Sequence, residues 1–313
     1  MIAKKDFVRK ELNYNPLVSI IVITYNSAKY VLETLESAKI QPYKNIELII
    51  SDDGSKDDTV PICRKWLKKN QERFVKTRLI TVEENTGIPA NCNRGVKASQ
   101  GEWVKLIAGD DALKKNCILT NMQFANSNKS VNVIHSNVEY YKDNFKNNSR
   151  TGVSDCGDAF VFSKKCSSQE QYHFLLNRTG GLLAPTLFLN RKTLYFVKCF
   201  DERLRLLEDV PLFLRLTKEG NKIHFLNETT IKYRVSASSI QKRNKPHMNI
   251  DFAKELLLFN SLYKKGKIKS HKLFFNNAGL IIIICLNVIG FNRNGNLFDL
   301  MFRVAKKIRS LKL

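Results

Sequence analysis

Before residue 112 the same pattern occurs four times: a short apolar run stops at a small polar cluster. LVSIIVIT (17–24) runs into Tyr25-Asn26-Ser27, and NIELIIS (45–51) into Asp52-Asp53-Gly54-Ser55. TRLITV (77–82) is followed by Asn85-Thr86-Gly87, and the run over 102–107 by Gly109-Asp110-Asp111. The runs are continuous in apolar and β-branched residues, as strands buried on both faces of a parallel sheet are. Helical stretches separate them: 28–40, 57–70 with Asp57 as a candidate cap, 89–99 with Pro89 suited to a first turn, and 113–125. A fifth strand covers 131–140. Strand–helix alternation with short connections predicts an α/β chain with a doubly wound, mostly parallel sheet flanked by helices. Ligands of such sheets sit beyond the carboxyl ends of the strands, where all four polar clusters fall.

Beyond 140 the pattern loosens. Residues 141–168 read as polar and irregular, 169–177 as a helix, 185–190 as a strand followed by a short helix. A helix over 208–219 opens with Glu208-Asp209-Val210-Pro211, and 222–226 and 230–235 read as two late strands. From 249 the chain turns helical and amphipathic, over 252–263, 274–291 and 297–311. The organisation expected is a lead segment (1–15), a main α/β domain (16–240) and a basic helical extension (241–313). No internal repeat is visible.

Lys and Arg number 52 against 29 Asp and Glu, a formal net charge of +23. That excess fits nucleic acid, an anionic membrane surface or phosphorylated ligands. No zinc-finger, RNP-type or basic-zipper pattern accompanies it. The basic residues thicken late, with Lys242, Arg243 and Lys245, then Lys264 to Lys272, then Arg303, Lys306, Lys307, Arg309 and Lys312. The seven cysteines have no CxxC pair, which points to reduced thiols and a cytoplasmic placement. The charged N-terminus lacks the apolar stretch of a secretory signal. The longest apolar run, 278–291, is shorter than the roughly 20 residues a spanning helix needs, so a peripheral rather than transmembrane relation to a membrane is expected.

Neither GxxxxGKS nor GxGxxG is present, so this sheet has no phosphate-cradling glycine loop. Adjacent carboxylates at a strand end supply another route to an anion. They can hold a divalent cation that bridges diphosphate oxygens.

VSIIVITYN, SDDGSKDDT, NTGIPANCNRG and GEWVKLIAGDD occur in that order, followed by LEDVPLFLRL and KYRVSASSI. Together they resemble the nucleotide-diphospho-sugar domain of family 2 glycosyltransferases, which have the GT-A fold. The resemblance covers about 16–240 and leaves out the C-terminal helices. It implies inverting transfer of a sugar from a nucleotide diphosphate donor, with UDP favoured, to a hydroxyl of a glycan or polyprenyl-diphosphate-linked acceptor. Bacterial surface polysaccharide assembly is the implied setting.

By the same resemblance, Tyr25 lies beside the base, Thr24 and Asn26 shape its pocket, Asp53 accepts from the base ring and Asp52 shapes the turn. Asp110 contacts ribose or donor sugar, and Asp111 holds Mn2+ or Mg2+. Gly109 stands where the family's metal motif often has its first acid. Asp209 is the implied general base, with Glu208 beside it as the other candidate. Asn93 and Arg94 are expected to reach the donor, Tyr233 and Arg234 the diphosphate from a closing loop, and Thr179-Gly180-Gly181 the sugar or acceptor pocket. Two rivals remain at this stage. A sugar nucleotidyltransferase would normally show a glycine-rich loop after the first strand. A basic nucleic-acid-binding protein would not place acids on its binding face. The expected partners exclude nucleic acid and include the anionic membrane, which the basic amphipathic C-terminal helices would meet.

Overall fold

The computed structural model describes residues 15–128, 130–154, 161, 165–177, 182–235, 249–288 and 296–309. The Thr179-Gly180-Gly181 stretch and the basic residues Lys242, Arg243 and Lys245 lie outside them. In chain order the strands are β1 (Val18–Thr24), β2 (Ile46–Asp52), β3 (Lys76–Thr81), β4 (Trp103–Ala108), β5 (Ala112–Leu113), β6 (Val133–Lys142), β7 (Arg150–Val153), β8 (Phe188–Asn190) and β9 (Ile223–Val235). The helices are α1 (Val31–Lys39), α2 (Thr59–Asn70), α3 (Ile88–Ala98), α4 (Cys117–Ser127), α5 (Ser168–Asn177), α6 (Arg191–Phe196), α7 (Asp209–Lys218), α8 (Ile250–Phe259), α9 (Ser270–Val288) and α10 (Asn296–Arg309).

The strands form one mixed sheet in the order β3-β2-β1-β4-β8-β6-β9-β5, with β7 on β6. Its first half is the parallel, doubly wound arrangement expected, β3-β2-β1-β4. The second half mixes directions: β8 is antiparallel to both β4 and β6, β9 is parallel to β6, and β5 is antiparallel to β9. Continuous apolarity in the first strands has its reason here. On β1, Val18, Ile20 and Val22 face one core cluster and Ile21 the other; on β4, Trp103 and Ile107 oppose Val104 and Leu106. Each such side chain contributes about 1.5–3 kcal/mol by leaving water, so both helical layers are needed.

Four local expectations change. Residues 112–113 are a strand, and the helix expected from 113 starts at Cys117. The two late strands are one, β9, whose register against β6 shifts around Asn137 rather than breaking. Between the two expected strands, Thr229 pairs with Asn137 of β6, and the register shifts on either side of that pair. Within the segment read as irregular, β6 runs on to Lys142 and β7 pairs back onto it. Finally, the C-terminal helices are built into the catalytic domain. Ala253, Leu256, Phe259, Tyr263, Leu280, Ile283 and Ala305 share a core cluster with Leu212, Phe213 and Leu216 of α7. The free thiols expected from the spacing are found at Cys63, Cys92, Cys117, Cys166, Cys199 and Cys285.

Candidate active site

The carboxyl ends of β1 and β2 are tied to each other side by side. Buried Thr24 donates its hydroxyl to Asp52 Oδ2 at 2.8 Å, and Asp52 also accepts Ser55 N at 2.9 Å. Asn26 turns the chain at φ +50°, a left-handed conformation that Asn tolerates better than most residues. Its backbone N–H donates to Ser55 Oγ and its Oδ1 accepts Lys56 N, both at 2.8 Å. Asp57 does not cap its helix alone: it also accepts Ala28 N at 3.0 Å, so the SDDGSKDDT loop holds the YNSA loop in place. Tyr25 stands out of this scaffold 47% exposed, a ring face available for stacking.

Asp53, expected to meet the base, is buried and engaged on both oxygens. Oδ2 accepts Thr86 N at 3.0 Å and Gly87 N at 2.9 Å; Oδ1 accepts Thr86 Oγ1 at 2.6 Å and Arg94 Nη2 at 3.2 Å. Four donors fill the carboxylate, and it latches the 85–88 loop over the ends of β1 and β2. Arg94 serves the same latch, donating to Asn91 Oδ1 and Thr86 Oγ1 as well. Asn93 is buried, and its amide exchanges hydrogen bonds with the backbone of Phe200 and donates to Glu202, pinning α3 to the loop that follows α6. Asp53→Ala should therefore cost about 3–5 kcal/mol of stability, the loss expected when one partner of a buried ion pair is removed. Tyr25→Ala should leave the denaturation midpoint unchanged and weaken nucleotide binding. Urea titrations and UDP binding on both variants separate latch from binding surface.

Asp110 and Asp111 follow β4, and a tertiary pairing decides where they point. Ala112 and Leu113 zip against Lys232 and Ile231 of β9. This sets Asp111 beside Arg234, whose backbone N–H donates to Asp111 Oδ1 at 2.8 Å. Burial pushes the Asp110 carboxyl up; burial and then the neighbouring Asp110 push Asp111 well above the ordinary carboxylate range. Arg234, expected at the diphosphate, is engaged within the protein. Its side chain is fully buried between the rings of Tyr30 and Phe145, 4.2 and 4.0 Å from their centroids. Its guanidinium bonds Asp110 O, Asp143 O and Glu33 Oε2. It is the rivet joining α1, the acid turn and the ends of β6 and β9.

The donor chemistry here fits a divalent cation shared with a ligand. Among the described residues no protein donor reaches Asp111 Oδ2, and no three His, Cys, Asp or Glu side chains cluster to cage an ion alone. A cation bound through one or two carboxylates and completed by substrate phosphates needs no more than this pair.

Glu208 and Asp209 open α7. Asp209 is the first helical residue, with Oδ1 accepting Val210 N at 2.6 Å. Burial raises the Asp209 carboxyl; Glu208 is pushed up to about 8 by burial first, then by Asp209, with a smaller push from Glu255. Glu255 of α8 also accepts the backbone N–H groups of Arg205 and Leu206, so the C-terminal helical layer holds the loop that carries the acids. The 85–88 loop locks onto that same loop. Ile88 N donates to Arg205 O at 2.8 Å, and Gly87, at φ +100°, lies so close that a Cβ would come 3.0 Å from that oxygen.

Members of both acid pairs act on Tyr233. Its phenol is pushed up by burial, then by Asp111, Asp110 and Glu208 together. Cys92 likewise feels Glu208 and Asp53 after burial. Through Tyr233 and Cys92, Asp53, Asp110, Asp111 and Glu208 are linked electrostatically, although they lie far apart in sequence. Arg205, Glu255, Tyr30 and Phe145 escape sequence reading, because nothing in their local pattern marks a long-range contact.

Comparison with known proteins accords with this geometry. The glycosyl transferase family 2 model matches residues 19–195. Glycosyltransferase GlyG of Streptococcus pneumoniae is 28% identical over 72% of this chain and 73% of its own length. Escherichia coli WfaP, named a UDP-Glc:alpha-D-GlcNAc-diphosphoundecaprenol beta-1,3-glucosyltransferase, is 29% identical over 82% of this chain and 88% of its own. Among solved structures, S. aureus TarS 1-349 in complex with UDP-GlcNAc superposes with a TM-score of 0.56 at 19% identity, over 94% of this chain and 88% of that one. The chain spans 53% of a longer TarS chain. The mannosyltransferase PcManGT of Pyrobaculum calidifontis, in complex with GDP-Man and Mn2+, gives 0.58 at 15% identity, over 99% of this chain and 88% of that one. These likenesses set aside the nucleotidyltransferase and nucleic-acid readings and bear out the GT-A fold. The chain belongs to glycosyl transferase family 2.

Proposed function

We propose that this chain transfers a sugar, with inversion, from a nucleotide diphosphate donor to a hydroxyl of a glycan or polyprenyl-diphosphate-linked acceptor. UDP is the favoured carrier, and the setting is assembly of a bacterial surface polysaccharide. The observation that carries this reading is the placement of two acid pairs, Asp110-Asp111 just after β4 and Glu208-Asp209 at the start of α7, with Asp111, Asp110 and Glu208 all acting on the Tyr233 phenol. Asp209 takes the proton of the acceptor hydroxyl as its oxygen bonds to the anomeric carbon. The bond from that carbon to the diphosphate oxygen breaks on the opposite face, and the nucleoside diphosphate leaves. Mn2+ or Mg2+, held by Asp111 and the diphosphate, would offset the charge that develops on the leaving oxygen. Tyr25 stacks on the base, Asn26 and the Thr24–Asp52 turn shape its seat, and Asp110 faces the ribose or donor sugar.

The relatives support the carrier and acceptor class: the name WfaP carries specifies a UDP-sugar and a diphosphoundecaprenol-linked acceptor. Reduced thiols fit a cytoplasmic placement at the inner face of the cell membrane. The test is a panel of UDP-, dTDP- and GDP-sugars with Mn2+ or Mg2+, read by thermal stabilisation and by metal-dependent sugar release. A UDP-sugar should raise the melting temperature most. If none of the panel binds, with either metal, the reading is wrong.

A further inference from the structure

Helix α9 has two different apolar faces. Gly279, Leu280, Ile283 and Leu286 are buried against the domain, and Asn260 at the end of α8 bonds the side chains of Asn276 and Asn277. On the other side Phe274, Ile281, Cys285 and Val288 recur at steps of seven, four and three residues, one stripe of a helix. Phe274, Ile281 and Val288 are 66%, 51% and 71% exposed. No charged residue occurs from Leu273 to Val288. Helix α10 packs beside α9 and adds exposed Leu300, Met301 and Val304 next to exposed Arg303 and Lys307. Exposed Lys265, Lys267 and Lys269 stand just before the start of α9.

By length and composition α9 could cross a membrane. Its inner face is already spent on the protein core, so lipid cannot surround it; only the outer stripe remains to be covered. We propose that the outer face of α9 and α10 docks on an anionic lipid bilayer, lying in the headgroup region rather than spanning it. Charge selects this occupant. Residues 249–313 carry twelve Lys or Arg against three Asp or Glu. Two copies of such a surface repel when brought together, whereas anionic headgroups attract it. The inference goes beyond the transfer reaction, and its test needs no turnover.

Cys285 supplies a native probe on the stripe itself. The full chain labelled there with an environment-sensitive fluorophore should shift to the blue with vesicles containing anionic lipid and not with neutral ones; Cys285→Ser, carried through the same labelling, gives the background from other thiols. Cosedimentation should follow the same order. The paired change Ile281→Asn with Val288→Asn should weaken partitioning about tenfold or more, with an unchanged circular dichroism melt. The paired change Lys267→Glu with Lys269→Glu should weaken binding to anionic vesicles alone. No vesicle binding, or equal binding to neutral and anionic vesicles, overturns the proposal. So does a concentration-dependent dimer that the Asn pair abolishes, since that assigns the face to a second copy. Hydrolysis of a nucleotide sugar in solution should be the same for the parent and the Asn pair, which keeps this result separate from the fate of the transfer reading.

Discussion

Asp209→Asn should lose glycosyl transfer by roughly 10²–10⁴-fold, the usual contribution of a positioned general base, with donor affinity preserved. Asparagine keeps the side-chain shape and can still accept from Val210 N, but cannot take the acceptor proton. The choice of Asp209 over Glu208 rests on their shared electrostatics. Two adjacent, half-buried acids do not ionise together easily. Burial and then Asp209 push Glu208 up to about 8 and burial raises Asp209 as well, but Asp209 is the first residue of α7, whose positive end favours an ionised carboxylate. Glu208→Gln should therefore retain most activity. It should also change the pH dependence of folding. A carboxyl raised in the folded state stabilises it below the ordinary value of 4.5 and loses that contribution as pH climbs through about 8. Parent stability should decline from about pH 5 to about pH 8 by this contribution, and the Gln variant should decline less. Urea midpoints at both ends of the window and transfer rates measured on both variants are the check. Full activity of Asp209→Asn with an inactive Glu208→Gln would reverse the assignment.

The second large effect is expected from Asp111→Asn. The amide can still accept from Arg234 N, so the β5–β9 join and the melting temperature of the unliganded protein should hold. The chain's charged hold on a divalent cation should be lost, and with it several kcal/mol of stabilisation of the departing diphosphate. At roughly 4 kcal/mol that is about a thousandfold in rate. A readout apart from rate is available. UDP with Mn2+ should raise the melting temperature of the parent, UDP alone should raise it less, and the variant should show no difference between the two. Metal-enhanced UDP binding that survives in Asp111→Asn would place the cation elsewhere.

Much of this could be read along the chain. A run such as VSIIVIT can bury both faces only between two helical layers, and a parallel strand ends where a ligand can sit, so local pattern put the Tyr25 and Asp110-Asp111 clusters at one sheet edge. The roles given to them and to Asp209 came from the family resemblance, since an acid opening a helix is common on local grounds alone. What the pattern could not give was which polar groups turn inward. Asp53, Asn93 and Arg94 lie in motif stretches as plainly as Tyr25, yet the fold engages them with Thr86, Gly87 and Phe200.

Likewise the sequence determined the alternation of elements, the edge at which the acids collect and the excess of positive charge near the C-terminus. Only the tertiary structure decided that β5 pairs with β9, that Arg234 is sealed between Tyr30 and Phe145, and that α8 reaches back through Glu255 to the acid-bearing loop. The physical reason is one of range. Periodicity and turn chemistry act over a few residues, whereas a hydrogen bond such as Arg234 N to Asp111, 123 positions apart, exists only once the whole sheet has set both ends side by side.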